Sequence, residues 1–320
     1  MDGNSLQLQL PSPLQYLTTL RGVEVWVKRD DLIHPEVSGN KWRKLEYHLK
    51  AFRQGGYEEL LTFGGAYSNH LAAVAALGKG EGIPTAGLVR GEEVHSNTTL
   101  DYCRSCGMRL LPLSRKDYDL KDDPQFLEGL RDQAPQAYLI PEGGKGARGA
   151  AGCTRILEEI PADFPYQVVA TSAGTGTTAA GLLMSTEARL EVFPALKGGV
   201  FLQRAIGEHA HAYQEKFCRT RSASRRLPRQ LQLRPDYHCG GYGKVTSELI
   251  DFMNEFYKSY QLKLDPIYTG KLFYGLWDLL AQQTWPPGTR IIALHTGGLQ
   301  GIQGINEKRR PKNQNTLLYD

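Results

Sequence analysis

Lys41 stands in the segment Ser38-Gly39-Asn40-Lys41-Trp42-Arg43-Lys44, ten residues beyond the charged cluster Lys28-Arg29-Asp30-Asp31. A glycine turn precedes it, and an apolar-periodic helix starts beside it. A lysine held this way is a candidate for Schiff-base chemistry. Its amine becomes a useful nucleophile once its pKa is lowered or its charge is taken up by a bound group. Alone the motif proves nothing, because most lysines are solvated surface charges. Three further segments supply the parts such chemistry needs.

In the first, Val168-Val169-Ala170-Thr171 runs through Ser172 into Ala173-Gly174-Thr175-Gly176-Thr177 and an alanine- and leucine-rich stretch. A strand, a Gly/Thr turn and a helix opening make a phosphate cradle, with free N–H groups and the helix dipole facing the anion. The plain alternative is a tight strand-to-helix connection. A Walker A loop would need Gly-Lys-Ser/Thr, which is absent, and a dinucleotide site would need an acidic residue closing a strand about 20 positions on. Glu191 is near that distance but is read as preceding the apolar pair Val192-Phe193 instead of closing a strand. The second segment, Phe63-Gly64-Gly65-Ala66-Tyr67-Ser68-Asn69-His70, also joins a strand to a helix start. Ser68 suits an ordinary N-cap. The functional reading is a second anion site, for a substrate carboxylate, with the Ser68 hydroxyl and Asn69 amide facing a cofactor. The third, Leu294-His295-Thr296-Gly297-Gly298, ends the last strand, where ligands of open α/β sheets gather, so Thr296 is placed to meet a cofactor ring. An amine, two anion cradles and a neutral hydroxyl are together the parts of a pyridoxal phosphate (PLP) site.

The elements that must position these residues alternate strand with helix, the pattern of a parallel α/β sheet. The patterning predicts strands over 23–28, 59–63, 84–89, 108–113, 138–141, 167–171 and 291–295. It predicts helices over 70–78, 98–106, 177–185 and 245–257. The run from 59 to 113 makes a compact small domain, and 138–141 opens a second series. The expected division is a small α/β domain over 45–135 and a large PLP-binding domain over 1–44 and 136–320.

At these segments the chain resembles the 1-aminocyclopropane-1-carboxylate deaminase and D-cysteine desulfhydrase family of PLP enzymes, within the tryptophan-synthase-β-like group. The resemblance begins at Pro11-Ser12-Pro13-Leu14-Gln15 and runs through Gly39-Asn40-Lys41, Ser68-Asn69-His70, Pro141-Glu142-Gly143-Gly144 and the Gly/Thr loop. Asp265-Pro266-Ile267-Tyr268-Thr269-Gly270-Lys271 and His295-Thr296-Gly297-Gly298 complete it. It implies fold type II: two open twisted, mostly parallel sheets flanked by helices, with the active site in the cleft between domains. It also implies a small amino-acid substrate and a homodimer. Lys41 would hold the cofactor and, once released, act as the proton-transfer base. Asn69 would meet the ring hydroxyl, residues 173–177 the phosphate, and Ser68, Asn69 and His70 the substrate carboxylate. Tyr242 and Tyr268 match two active-site tyrosines, able to donate or accept a proton. Cyclopropane ring-openers of the family carry glutamate after the second tyrosine. Here that position is Thr269, and with Thr296 it resembles the D-cysteine desulfhydrase type. Tyr67 and Leu71-Ala72-Ala73 depart from the family pattern beside the expected carboxylate pocket.

Composition bounds the alternatives. Over 320 residues, 41% are hydrophobic and 22% charged, ordinary for a soluble globular protein. Net charge is +4. The cluster Arg219, Arg221, Arg225, Arg226 and Arg229 has no interleaved aromatics and reads as a solvated loop, so no nucleic-acid partner is expected. No run of 18 apolar residues and no signal peptide is visible, so no membrane association is expected. Five cysteines in such a chain suggest reduced thiols in a cytoplasm. Cys103 and Cys106 read as an accidental pair, since no second pair stands at metal-ligand spacing. A non-catalytic PLP carrier and a nicotinamide oxidoreductase are the readings from other classes.

Overall fold

The computed structural model describes residues 6–218 and 230–319, so the arginine cluster between them lies outside the described residues. Strands β1 (Leu14–Leu20) and β2 (Val23–Lys28) lead into α1 (Asn40–Gly55). There follow β3 (Glu59–Gly64), α2 (Asn69–Glu81), β4 (Thr85–Arg90), α3 (Thr98–Ser105), β5 (Arg109–Leu113), α4 (Arg115–Tyr118), α5 (Pro124–Gln133) and β6 (Ala137–Ile140). Next come α6 (Ala147–Glu158), β7 (Val168–Ala173), α7 (Thr177–Ser185), β8 (Arg189–Pro194), α8 (Leu202–Phe217) and β9 (Leu231–Leu233). The chain ends with α9 (Ser247–Tyr260), α10 (Thr269–Ala281), β10 (Arg290–Leu294) and α11 (Gly301–Arg309).

Two sheets form. One has the order β1-β2-β10-β7-β8-β9 and the other β5-β4-β3-β6. Every pairing is parallel except β1 with β2 at the edge. The central strands β7, β8 and β10 of the larger sheet are almost wholly buried because both faces are covered. Val168, Ala170, Ile291 and Ala293 point into a core with α9 and α10. Val169, Ile292, Leu190 and Val192 point the other way, against α6, α7 and α8. In the smaller sheet, Leu60 and Val89 pack beneath α1, α2 and α3, while Leu61, Phe63 and Leu88 face Tyr118 and α5.

Three expectations change. The run opening at residue 138 does not begin the second series: β6 hydrogen-bonds to β3 and closes the smaller sheet. A buried parallel edge strand and the first strand of a new unit share the same short apolar pattern. The division expected at 135/136 therefore leaves β6 outside the sheet it belongs to, and the one at 44/45 falls inside α1. Glu191 lies within β8, fully buried, with its carboxylate paired to Arg189 at 2.6 Å and Arg234 at 2.8 Å. Its charge is neutralised inside the sheet, so it is no ribose ligand at a strand end.

A buried ionic cluster ties α1 to the larger sheet. The Arg43 guanidinium reaches Asp30 at 2.9 and 3.1 Å and Glu159 at 2.6 and 2.8 Å. Lys28 reaches Glu159 at 2.7 Å and the Ser12 carbonyl at 2.6 Å, and the Ser12 hydroxyl donates to Asp30 at 2.6 Å. Burial alone would push the Glu159 carboxyl up, but hydrogen bonds from Arg43 and Lys28 hold it down at about 2. Breaking one side of such a cluster strands a charge. Arg43→Met should cost on the order of 3–5 kcal/mol in urea denaturation. Lys50→Met, at an exposed pair with Glu46, should cost less than about 1 kcal/mol. The native state keeps Glu159 charged where the unfolded chain would bind a proton. That stability is full above about 4.5 and is lost as pH falls toward 2.

Candidate active site

A cavity of about 540 Å³ opens between the two sheets. It is walled by the ends of β3, β4 and β6 on one side and by those of β7 and β10 on the other, with α1 at its floor. Lys41 sits in the first turn of α1, behind Gly39. That glycine has φ +63°, and a Cβ on it would lie 1.9 Å from the Thr296 carbonyl oxygen. Only glycine lets the start of α1 touch the end of β10, so Lys41 and Thr296 share one cavity. Burial, then the neighbouring Lys44 charge, lowers the Lys41 amine to about 7, with Asp265 opposing. The closest hydrogen-bond contact of its Nζ is a long one, 3.4 Å to Asn40 Oδ1.

The two helix openings differ. At α2, Ser68 Oγ accepts from the His70 and Leu71 N–H groups at 3.2 and 3.3 Å, so the hydroxyl oxygen is a cap. The Asn69 N–H and the Ser68 hydroxyl proton remain to meet an anion. His70 lines the cavity, its Nε2 2.9 Å from Thr62 Oγ1 and its buried Nδ1 without a partner. Burial, then Lys41 and Lys44, hold its pKa well below the ordinary value, so it is neutral. At α7 no side chain caps the helix: Gly176, at φ +81°, is the N-cap residue. The first-turn N–H groups there are open to an anion, and Lys44 lines the same cavity.

Ala173, Gly174, Thr175, Gly176, Ser68, Asn69, His70, Tyr242, Tyr268 and Thr296 all line this cavity with Lys41. Thr177 and Thr269 do not. Thr177 is fully buried, with its Oγ1 3.1 Å from Thr175 Oγ1. Thr269 is fully buried in the first turn of α10; its hydroxyl donates to Asp265 Oδ2 and accepts from the Asp265 N–H, both at 2.8 Å. Tyr268 and Tyr242 stand edge to face at 6.2 Å. Burial, then Tyr242, pushes the Tyr268 hydroxyl well above its ordinary pKa, so it is a proton donor at neutral pH. Lys271 donates to the Ala195 and Gly241 carbonyls at 3.0 and 2.8 Å, fixing the loop that carries Tyr242.

Residues 6–297 match the pyridoxal-phosphate dependent enzyme family. The chain belongs to that family. A putative 1-aminocyclopropane-1-carboxylate deaminase of Pyrococcus horikoshii is 31% identical, covering 93% of this chain and 92% of the relative. A D-cysteine desulfhydrase of Salmonella schwarzengrund is 29% identical over 91% of this chain and 93% of its own length. A solved structure of an ACC deaminase homologue superposes with a TM-score of 0.78 at 28% identity, covering 96% of this chain and 95% of that one. A fungal L-serine ammonia-lyase from Rhizomucor miehei shares the fold alone, with a TM-score of 0.63 at 13% identity over 94% of this chain and 99% of that one.

The lining fits the family's cofactor. The lowered Lys41 amine suits an aldehyde, the uncapped α7 start with Lys44 suits a phosphate, and Thr296 offers a neutral hydroxyl at the strand end. Lys44, Asn40 and Asp265 escaped the reading of residue types. Lys44 is one helical turn from Lys41, a spacing that places both on one face, and that spacing was the available signal. PLP uptake by apoprotein, followed by visible absorbance, should accelerate with pH around a midpoint near 7, because the protonated amine is unreactive. An ordinary lysine would keep gaining toward pH 10.5. Lys41→Ala should give no such band.

Proposed function

We propose that this PLP-dependent enzyme catalyses α,β-elimination from D-cysteine or a related small amino acid, giving pyruvate, hydrogen sulfide and ammonia. The observation that carries this reading is Thr296, a neutral hydroxyl lining the cavity at the end of β10, with no carboxylate side chain from β10 or α10 in that lining. A neutral partner leaves a pyridine nitrogen largely unprotonated and makes it a milder electron sink. Substrates with a good leaving group at Cβ tolerate this, whereas an unactivated cyclopropane does not. Thr269 supports the reading indirectly, by placing no carboxylate at the start of α10.

The roles proposed for the chain's groups follow from their chemistry. The α2 opening, with Ser68, Asn69 and the neutral His70, receives the substrate carboxylate. The cradle of residues 173–177 with Lys44 holds the phosphate, Thr177 acting through its hydroxyl contact to Thr175. When bound, the cofactor supplies the electron sink for cleavage at Cα and Cβ. Lys41, half deprotonated near pH 7, takes the Cα proton. Tyr268, kept protonated, and Tyr242 beside it donate to the leaving group. Sulfide leaves readily, and water completes release of ammonia. A homodimer working in a reducing cytoplasm is part of the proposal; the cysteines among the described residues are all free thiols.

The second reading, 1-aminocyclopropane-1-carboxylate deamination to 2-oxobutyrate and ammonia, is favoured by the name of the Pyrococcus horikoshii relative. Purified PLP-loaded protein offered D-cysteine, β-chloro-D-alanine, L-cysteine and the cyclopropane side by side separates the two. Pyruvate from the D-substrates without 2-oxobutyrate is the expected outcome, and efficient 2-oxobutyrate formation would replace the first reading with the second. Lys41→Ala should abolish steady-state release, whereas a mere carrier would show none in either protein.

A further inference from the structure

The cavity carries more charge than cysteine can use. Lys41, Lys44 and the two helix openings account for a cofactor and an α-carboxylate, and a thiol needs no ionic partner. Three charges remain in the lining: Glu36, which accepts from the Tyr102 hydroxyl at 2.7 Å, and an opposite pair, Arg90 from the end of β4 and Glu142 just after β6. Both members of the pair border the buried ring of Tyr118, itself a lining residue. The Tyr118 hydroxyl donates to Glu142 Oε1 at 2.6 Å, and the Arg90 guanidinium lies 5.9 Å from the ring centroid. Lys121 touches Glu142 Oε2 only at 3.7 Å, and Arg90 meets the exposed Asp119 only at 3.9 Å. Such long, solvated pairs are weak, so both groups keep hydrogen-bonding capacity for a ligand. Burial, then the bond to Glu142, pushes the Tyr118 pKa up, which keeps its proton on the phenol and Glu142 an acceptor.

Arg90 near the Tyr118 ring and Glu142 at its hydroxyl, with Lys121 also 5.1 Å from the ring centroid, match a second α-amino-acid head, with ammonium toward Glu142 and carboxylate toward the planar Arg90 fork. We infer that Arg90 and Glu142 form a distal subsite that recognises an amino-acid head carried on the leaving group. The substrate class is then β-thioether amino acids such as lanthionine. The inference rests on the elimination reading for its chemistry. The Cα–H and Cβ–S bonds break, sulfur takes a proton, and water is consumed, giving pyruvate, ammonia and a thiol amino acid. No oxidant or reductant is needed.

Binding to the PLP-loaded protein can be tested with four racemic ligands that share a five-carbon chain and lack a leaving group. In 2,6-diaminopimelate a methylene replaces the lanthionine sulfur and the distal end is a full amino-acid head. Lysine has a distal cation, 2-aminopimelate a distal anion, and norleucine neither. Calorimetry should show diaminopimelate binding at least about tenfold tighter than norleucine, as one charge-assisted contact provides. Glu142→Gln should shrink the lysine-to-norleucine affinity ratio, and Arg90→Gln the 2-aminopimelate-to-norleucine ratio. Affinities within twofold of one another in the wild type, or ratios indifferent to both substitutions, would overturn the subsite. Pyruvate assays with D-cysteine and lanthionine keep the two ideas apart. Discriminating binding without pyruvate from either leaves the subsite standing and removes the elimination reading. Pyruvate from D-cysteine with undiscriminating binding does the reverse.

Discussion

The buried cluster of Lys28, Asp30, Arg43 and Glu159 is the constraint on which the site depends. Its members come from the end of β2, the turn after it, the first turn of α1 and the segment just after α6. Two positive and two negative side chains, with the Ser12 hydroxyl, satisfy one another away from water. Desolvating four charges is expensive, and apolar packing of the same volume would hold the fold as well or better. What the ions add is register: a guanidinium fork that meets Asp30 and Glu159 at once permits one rotation of α1 about its axis. Arg43 is two residues from Lys41, so that rotation fixes where the amine points.

Once α1 is set, the contrast between two helix openings sorts the ligand groups. At α2 a serine oxygen already occupies two N–H groups, leaving a shallow, partly neutralised anion site suited to a carboxylate that must enter and leave. At α7 glycine at the cap position leaves the N–H groups to the ligand, and Lys44 adds a full charge. A resident phosphate needs that stronger hold. Burial, and then the same Lys44 charge, also depresses the Lys41 amine. In the proposed assignment, cofactor retention and nucleophile activation therefore share one electrostatic arrangement.

Much of this was legible in residue types because strong local rules act there. Thr177–Ser185 was bounded by its Gly/Thr opening, and 23–28 by alternating valines ahead of a charged turn; both match the observed elements. Thr296 could be placed because a strand end is a fixed location in an α/β sheet. Other features depend on long-range contacts that no local pattern carries. The hydroxyl of Thr269 turns to Asp265 because three successive N–H groups, those of Ile267, Tyr268 and Thr269, already hold that carboxylate at the α10 start. Glu191 reads as preceding two apolar residues, yet it lies inside β8, where Arg189 and Arg234 neutralise it. The strand at 137–140 could join either sheet until the partner strand was known.

Four desolvated lysines, Lys28, Lys41, Lys44 and Lys271, show what separates a structural from a ligand-facing charge in this chain. Lys28 is surrounded by acceptors, a carbonyl, a hydroxyl and a carboxylate. Lys271 donates to two carbonyls and, by burial, falls to about 8. Each has its acceptors within the protein, and each is best read as a tie between segments. Lys41 and Lys44 are also desolvated but line the cavity, and among the described residues Lys41 has one hydrogen bond, a long one of 3.4 Å to its neighbour Asn40. Burial depresses all four amines, so a lowered pKa alone does not mark the reactive one. What sets Lys41 apart is its place in the cavity lining with one long hydrogen bond, because a desolvated amine held so weakly gains most when a ligand supplies an acceptor.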